Sequence, residues 1–194
     1  MNGIIIKGIA GFYYVKAEGK VYQCKARGIF KKDGITPYVG DEVSIEKLSE
    51  EEAVVNEILP RKNSFIRPPI ANVDCFVIVV AAARPDPNPD IIDKFLVMAE
   101  KSHTDIILCL NKIDLVTDEK RNEIEDIYKG IYPLVSVCGK TGQGLSELAG
   151  LMQKRKCALA GPSGTGKSTL LNRLQSKYTV ETGDISEKTK RGKH

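Results

Sequence analysis

Between residue 1 and about residue 60 the apolar positions come in short runs rich in β-branched and aromatic residues: IIIKGI, GFYYVKA, KVYQCKARGIF, DEVSIEKL and AVVNEIL. Turn signals such as Glu18-Gly19 and Asp33-Gly34 separate them at the spacing of a small antiparallel barrel rather than of crossover units. Five such strands suit an OB-like barrel, and an SH3-like barrel fits the same spacing. The segment PRKNSFIRPPIANVD, with Pro60, Pro68 and Pro69, continues neither a strand nor a helix for long and reads as a linker. It predicts a boundary near residue 70, with a first domain over 1–69 and a second over 70–194.

Past that point the period changes. CFVIVVAAA is almost continuously apolar, as a strand buried on both faces should be, and after RPDPNPD the apolar residues of IIDKFLVMAEKS recur at helical spacing. DIILCL, a helical stretch around DEKRNEIEDIYKG, then PLVSV, a helix from Leu145, CALA and a helix after Gly166 repeat the alternation. This predicts an α/β domain with a parallel sheet behind an all-β barrel.

Composition adds limits. The 194 residues, 42% of them hydrophobic, suffice for one or two cores, and no run of eighteen apolar residues or cleavable leader is present, so a cytoplasmic protein with no membrane partner is expected. Cysteines 24, 75, 109, 138 and 157 are scattered, several inside apolar runs, and read as reduced small hydrophobes rather than as a disulfide framework or metal site. The net charge of +4 is small, but from Lys154 onward ten Lys or Arg stand against Glu181, Asp184 and Glu187. That end of the chain is basic.

The chemistry starts at AGPSGTGKST. Gly161, Pro162, Ser163, Gly164, Thr165, Gly166, Lys167 and Ser168 fit G-x-x-x-x-G-K-[ST], between a short apolar run that ends at Ala160 and the helical TLLNRLQ. Such a loop turns backbone N–H groups and a helix N-terminus onto phosphate oxygens, which only a chain poor in side chains permits. Lys167 is placed for the β and γ phosphates, Ser168 for Mg²⁺ and Thr169 for the α-phosphate.

CLNKIDLV carries a second signal, Asn-Lys-x-Asp, directly after the strand DIILCL. Guanine presents two adjacent donors, N1–H and the 2-amino group, and the Asp114 carboxylate can accept both; adenine offers an acceptor there instead. A site of this kind discriminates by about 10⁴ or more. Asn111 supports the base or the neighbouring loop, and the Lys112 stem can cover the ring. After PLVSV comes CGKTGQGLSEL, close to the Ser-Ala-Lys loop of GTPases; Cys138, Gly139 and Lys140 take those places, with the Gly139 N–H aimed at guanine O6.

The order is base reader, second base loop, phosphate loop, which is a circular permutation of a Ras-like GTPase. With a barrel in front, RPPIANVD, RPDPNPDIIDKFL, LNKIDL, TGQGL and AGPSGTGKSTLLN in sequence, the whole chain resembles the circularly permuted GTPases of the RsgA or YjeQ family. The resemblance implies an OB-fold that contacts ribosomal RNA, a permuted GTPase that binds GTP or GDP with Mg²⁺, and a role late in the maturation of the small ribosomal subunit, as a monomer. Phe12, Tyr13 and Tyr14 with the surrounding lysines read, from residues alone, as core rings and a solvated face. The resemblance turns them into RNA candidates, Tyr13, Lys25, Arg27, Lys31 and Lys32.

Hydrolysis needs a switch threonine and an Asp-x-x-Gly loop, yet no Asp here is followed three residues later by Gly. KTKRGKH looks like the family's first switch just before its threonines, with His194 at a switch histidine's place and, beside Lys167, a catalytic candidate. The family's zinc-binding C-terminal domain is likewise missing, so no zinc is assigned and a truncated chain is expected, binding nucleotide without efficient turnover. Two other classes remain open on the residues alone: an adenine-nucleotide ATPase or kinase with a fortuitous NKID, and a non-catalytic RNA-binding scaffold.

Overall fold

The computed structural model describes residues 1–28, 30, 34–66 and 68–177. They form two compact units, Met1–Asn72 and one that begins at Val73. In the first, β1 (Asn2–Ile9), β2 (Phe12–Ala17), β3 (Lys20–Ala26), β4 (Glu42–Lys47) and β5 (Glu52–Ile58) close into a barrel in the order β1-β2-β3-β5-β4. All pairs are antiparallel except β3 with β5. This is the OB-like arrangement of the two that strand spacing allowed. The hairpins at Ala10-Gly11 and Glu18-Gly19 each place two successive residues at positive φ, the turn whose twist matches paired strands.

Alternate residues of each strand fill the barrel: Ile5, Val15, Tyr22, Cys24, Val43, Ile45 and Val55 are buried together. The third strand stops at Ala26, short of the predicted run to Phe30, because Phe30 enters this core and its N–H bonds the Arg27 carbonyl at 3.1 Å.

The proline-rich stretch expected as a linker holds a small hairpin, β6 (Ser64–Ile66) with β7 (Pro69–Ala71). It is strapped to the barrel. Asn72 receives the Lys62 N–H at 2.8 Å and donates to the Gly40 carbonyl at 3.0 Å, and a Cβ on Gly40 would lie 2.1 Å from the Ala71 carbonyl. Beneath the hairpin Arg61 grips the fully buried Asp41 through Nε at 2.7 Å and Nη2 at 2.8 Å, and the Tyr38 N–H adds a third bond to that carboxylate at 2.7 Å.

In the second unit β8 (Cys75–Ala81), β9 (Asp105–Asn111), β10 (Leu134–Ser136) and β11 (Cys157–Ala160) form a parallel sheet in the order β10-β9-β8-β11. Every residue of β8 is buried, which explains its unbroken apolar sequence. Helices α1 (Pro89–Lys101), α2 (Asp118–Tyr128), α3 (Leu145–Met152) and α4 (Lys167–Lys177) connect or follow the strands. α1 starts on Asn88, whose side chain accepts the Ile91 N–H, and α2 on Thr117, which accepts the Lys120 N–H. Leu145 and Leu148 of α3 and Leu170 and Leu174 of α4 pack on Val77, Val79, Ile107 and Cys109. Among the described residues β11, which feeds the phosphate loop, is an edge strand. All five cysteines are free thiols.

Candidate functional site

The glycine-rich loop leaves the carboxyl end of β11 and enters α4, and its backbone explains its glycines. Gly161, Gly164 and Gly166 sit at φ of +135°, +80° and +93°, where side chains are strained. At Gly161 a Cβ would also meet the Val79 carbonyl at 2.3 Å, so the loop turns tightly over β8. The N–H groups of Ser163, Gly164, Gly166 and Ser168 make no hydrogen bond to any described residue. A ring of unspent donors at a helix N-terminus, with no acidic residue in that helix's first turn, suits a polyphosphate. The Lys167 ammonium lies across the loop, donating to the carbonyls of Gly161 at 2.9 Å and Pro162 at 2.7 Å. Ser168 is exposed one residue on, its hydroxyl a suitable Mg²⁺ ligand.

The Asn-Lys-x-Asp segment follows β9 on the same edge of the sheet. Asn111 is 2% exposed and is the joint of the site: its Nδ2 donates to the Thr165 carbonyl at 2.8 Å and its Oδ1 accepts the Gly139 N–H at 3.0 Å. Three loops distant in sequence therefore meet on one amide. The approach is so close that a Cβ on Gly166 would stand 2.4 Å from Asn111 Nδ2. Lys112, at φ +65°, sends its ammonium over the phosphate loop to the carbonyls of Gly164, at 2.6 Å, and Arg84.

Asp114 is held from the second base loop. The Cys138 thiol donates to Asp114 Oδ1 at 3.2 Å, and the Thr141 N–H donates to the Cys138 sulfur at 3.4 Å, so the thiol takes the part that a hydroxyl would play there. The Gly139 N–H, expected to face guanine O6, is instead engaged by Asn111, while the Lys140 N–H has no partner among the described residues. A Cβ on Gly139 would stand 3.2 Å from Leu170 Cδ2, 3.4 Å from Asn111 Oδ1 and 3.5 Å from Thr169 Cγ2, so the loop runs close to α4. Arg173 of α4 closes the loop on the other side with a bond from Nη2 to the Lys140 carbonyl at 2.7 Å. Arg84 and Arg173 were not legible as site residues, since each contributes through a backbone carbonyl, its own or another's.

The barrel candidates divide. Tyr13 shares the inward face of β2 with Val15 and Ala17, and burial beside Asp41 pushes its hydroxyl pKa up. Phe12 and Tyr14 alternate to the outer face, where the Lys25 ammonium sits 5.3 Å from the centre of the Phe12 ring. Arg27 is exposed and ion-paired with Glu46 at 2.9 Å. Lys31, Lys32 and His194 lie outside the described residues, as does the basic run from Lys188 to Lys193.

Comparison with known proteins bears on these loops. A family profile described as RsgA GTPase matches residues 58–194, and one described as RsgA N-terminal domain matches residues 2–55. The chain is 46% identical over 208 residues to a protein of Agathobacter rectalis named small ribosomal subunit biogenesis GTPase RsgA, covering all of this chain and 69% of that one. A protein of the same name from Alkaliphilus metalliredigens is 44% identical, with 67% of its length covered. Among solved structures, YjeQ from Thermotoga maritima superimposes with a TM-score of 0.82 at 36% identity over 93% of this chain and 68% of that one. YloQ, described as a circularly permuted GTPase, follows with a TM-score of 0.74 at 37% identity over 93% of this chain and 66% of that one. The chain thus spans about two thirds of the length of these relatives.

Proposed function

Because the chain belongs to the RsgA GTPase family, we propose that it is a GTPase of small ribosomal subunit biogenesis that holds GTP and GDP in the permuted site just described. The observation that carries this reading is the Asn111 amide, which fastens the base-reading loops to the phosphate loop.

The nucleotide's phosphates lie against the N–H groups of Ser163, Gly164, Gly166 and Ser168. On binding, the Lys167 ammonium exchanges its carbonyl partners for β and γ oxygens, a charge-assisted contact in place of two neutral ones. Thr169 reaches the α-phosphate. Ser168 would ligate Mg²⁺, which would supply positive charge against that of the phosphates. Asp114, its orientation fixed by the Cys138 thiol, accepts the N1–H and 2-amino group of guanine. O6 takes the Lys140 N–H, one residue beyond the expected donor. The Lys112 stem lies along the purine face, its ammonium anchored to the loop.

RNA contact belongs to the barrel's outer face. Phe12 and Tyr14 are stacking surfaces for unpaired bases, and Lys25, Lys16 and Lys7 meet phosphates. Tyr13 instead supports the platform from within.

The experiment is a calorimetric titration of the chain with GDP, ADP and XDP in Mg²⁺, repeated for Asp114→Asn. The wild-type chain is expected to prefer GDP over ADP by at least a hundredfold, and the variant to prefer XDP, whose 2-oxo group needs a donor. A preference for ADP, or an Asp114→Asn variant that still selects GDP, refutes the assignment.

A further inference from the structure

The second unit carries a feature that nucleotide binding does not use. Pro87, Pro89 and Ile92, at the start of α1, face Ile124 and Ile127 of α2 across an apolar groove of about 200 Å³. Ile127 is 52% exposed, so the groove is open, and its volume suits one or two aliphatic side chains.

Charge surrounds it unevenly. Asp93 accepts a hydrogen bond from the Tyr128 hydroxyl at 3.3 Å, Glu123 pairs with Lys120 at 2.8 Å, and Asp86 also acts on Lys120, raising that ammonium's pKa. Two carboxylates, Glu123 and Asp86, thus act on one cation, and Asp93 has the neutral Tyr128 hydroxyl as its partner. The bias extends along both helices: residues 86–101 and 118–129 hold nine Asp or Glu against five Lys or Arg, whereas the chain as a whole is +4. Such a face repels RNA phosphates.

We infer that this groove is a docking site for a basic amphipathic helix of a partner protein, whose leucine-sized side chains enter between α1 and α2 while its lysines and arginines meet Asp86, Asp93 and Glu123. A helix lies naturally in the furrow between two others, and a helix bound there is read by apolar anchors at i, i+3, i+4 and i+7. Binding of this kind is independent of the nucleotide reading, because none of these residues belongs to the phosphate or base loops.

The probe is a fluorescent synthetic peptide of about fifteen residues, lysines with leucines at i, i+3, i+4 and i+7 spacing, against a scramble of the same composition. Anisotropy should show the ordered peptide binding at least tenfold more tightly than the scramble. Ile127→Lys and Glu123→Lys, both at exposed positions that leave folding intact, should each weaken it at least fivefold with GDP affinity unchanged. Equal binding of ordered and scrambled peptides, or variants that bind as the wild type does, overturns the proposal. Sedimentation that shows self-association dispersed by Ile127→Lys also overturns it, since the groove's occupant is then a second copy of the chain.

Discussion

The contact between Gly166 and Asn111 makes a thermodynamic cycle possible. Asn111→Ala strips two buried groups, the Thr165 carbonyl and the Gly139 N–H, of their partner; at about 1–3 kcal/mol for each unsatisfied group the loss is about 3 kcal/mol. Gly166→Ala places a methyl 2.4 Å from Asn111 Nδ2 at a φ of +93°. It adds about 1 kcal/mol of backbone strain and expels the Asn111 side chain, about 4 kcal/mol together. With Asn111 already removed the methyl has nothing to strike, so Gly166→Ala then costs only the strain. The double variant should therefore lose about 4 kcal/mol and not 7, a coupling of about 3 kcal/mol. Urea unfolding of the GDP-saturated chain measures it, because that experiment collects losses in folding and in binding together. Equal effects of Gly166→Ala with and without Asn111 would refute the account of the joint.

Two further outcomes concern stability. Asp41→Asn leaves Arg61 without its buried carboxylate and turns an amide donor toward other donors, and should destabilise the barrel by about 3 kcal/mol; adding Arg61→Met should restore most of that, as followed by hydrogen exchange of the barrel strands. At alkaline pH, burial holds the Cys109 thiol up to about 12 from 9.0, and burial with Asp93 holds Tyr128 up to about 12 from 10.0. Raised folded-state values mean full stabilisation below the unfolded pKa and loss as pH climbs toward 12, so stability should fall by roughly 1.4 kcal/mol per pH unit for each group, from pH 9 for Cys109 and from pH 10 for Tyr128. Cys109→Ala should flatten the part of that decline that begins at pH 9, and an unchanged slope would contradict it.

Most of the architecture was legible because period reports burial. The alternating runs became barrel strands and the unbroken CFVIVVA became the central strand, since side chains of a strand point to two faces and only a strand covered on both stays apolar throughout. The phosphate loop was legible because Gly161 and Gly166 stand at fixed spacing before Lys167 and Ser168, and both glycines occupy a backbone conformation that disfavours other residues. What stayed hidden depended on partners far along the chain. Nothing near Gly139 tells that Asn111 will take its N–H, and nothing near Arg84 tells that Lys112 will seek its carbonyl. Three adjacent aromatics give no parity, so choosing Tyr13 for the surface required a register that only the pairing of β2 supplies. The hairpin inside the linker stretch went unforeseen for a related reason: prolines mark where regular structure cannot run long, and two three-residue strands fit within that limit.

Permutation leaves the sheet intact but rewrites its calendar. A ribosome releases β8, β9 and β10, with both base-reading loops, before it has made β11 and the phosphate loop. At roughly 5–20 residues per second there is an interval of seconds in which the nascent chain shows the guanine face without an anchor for phosphate, and in which the flank of β8 that will receive β11 is bare. Nucleotide cannot rescue that intermediate, since the groups that hold most of its charge do not yet exist. With nucleotide held in the site proposed above, its capture requires that synthesis has passed the phosphate-loop helix, and chaperone demand for this protein should peak just before that point.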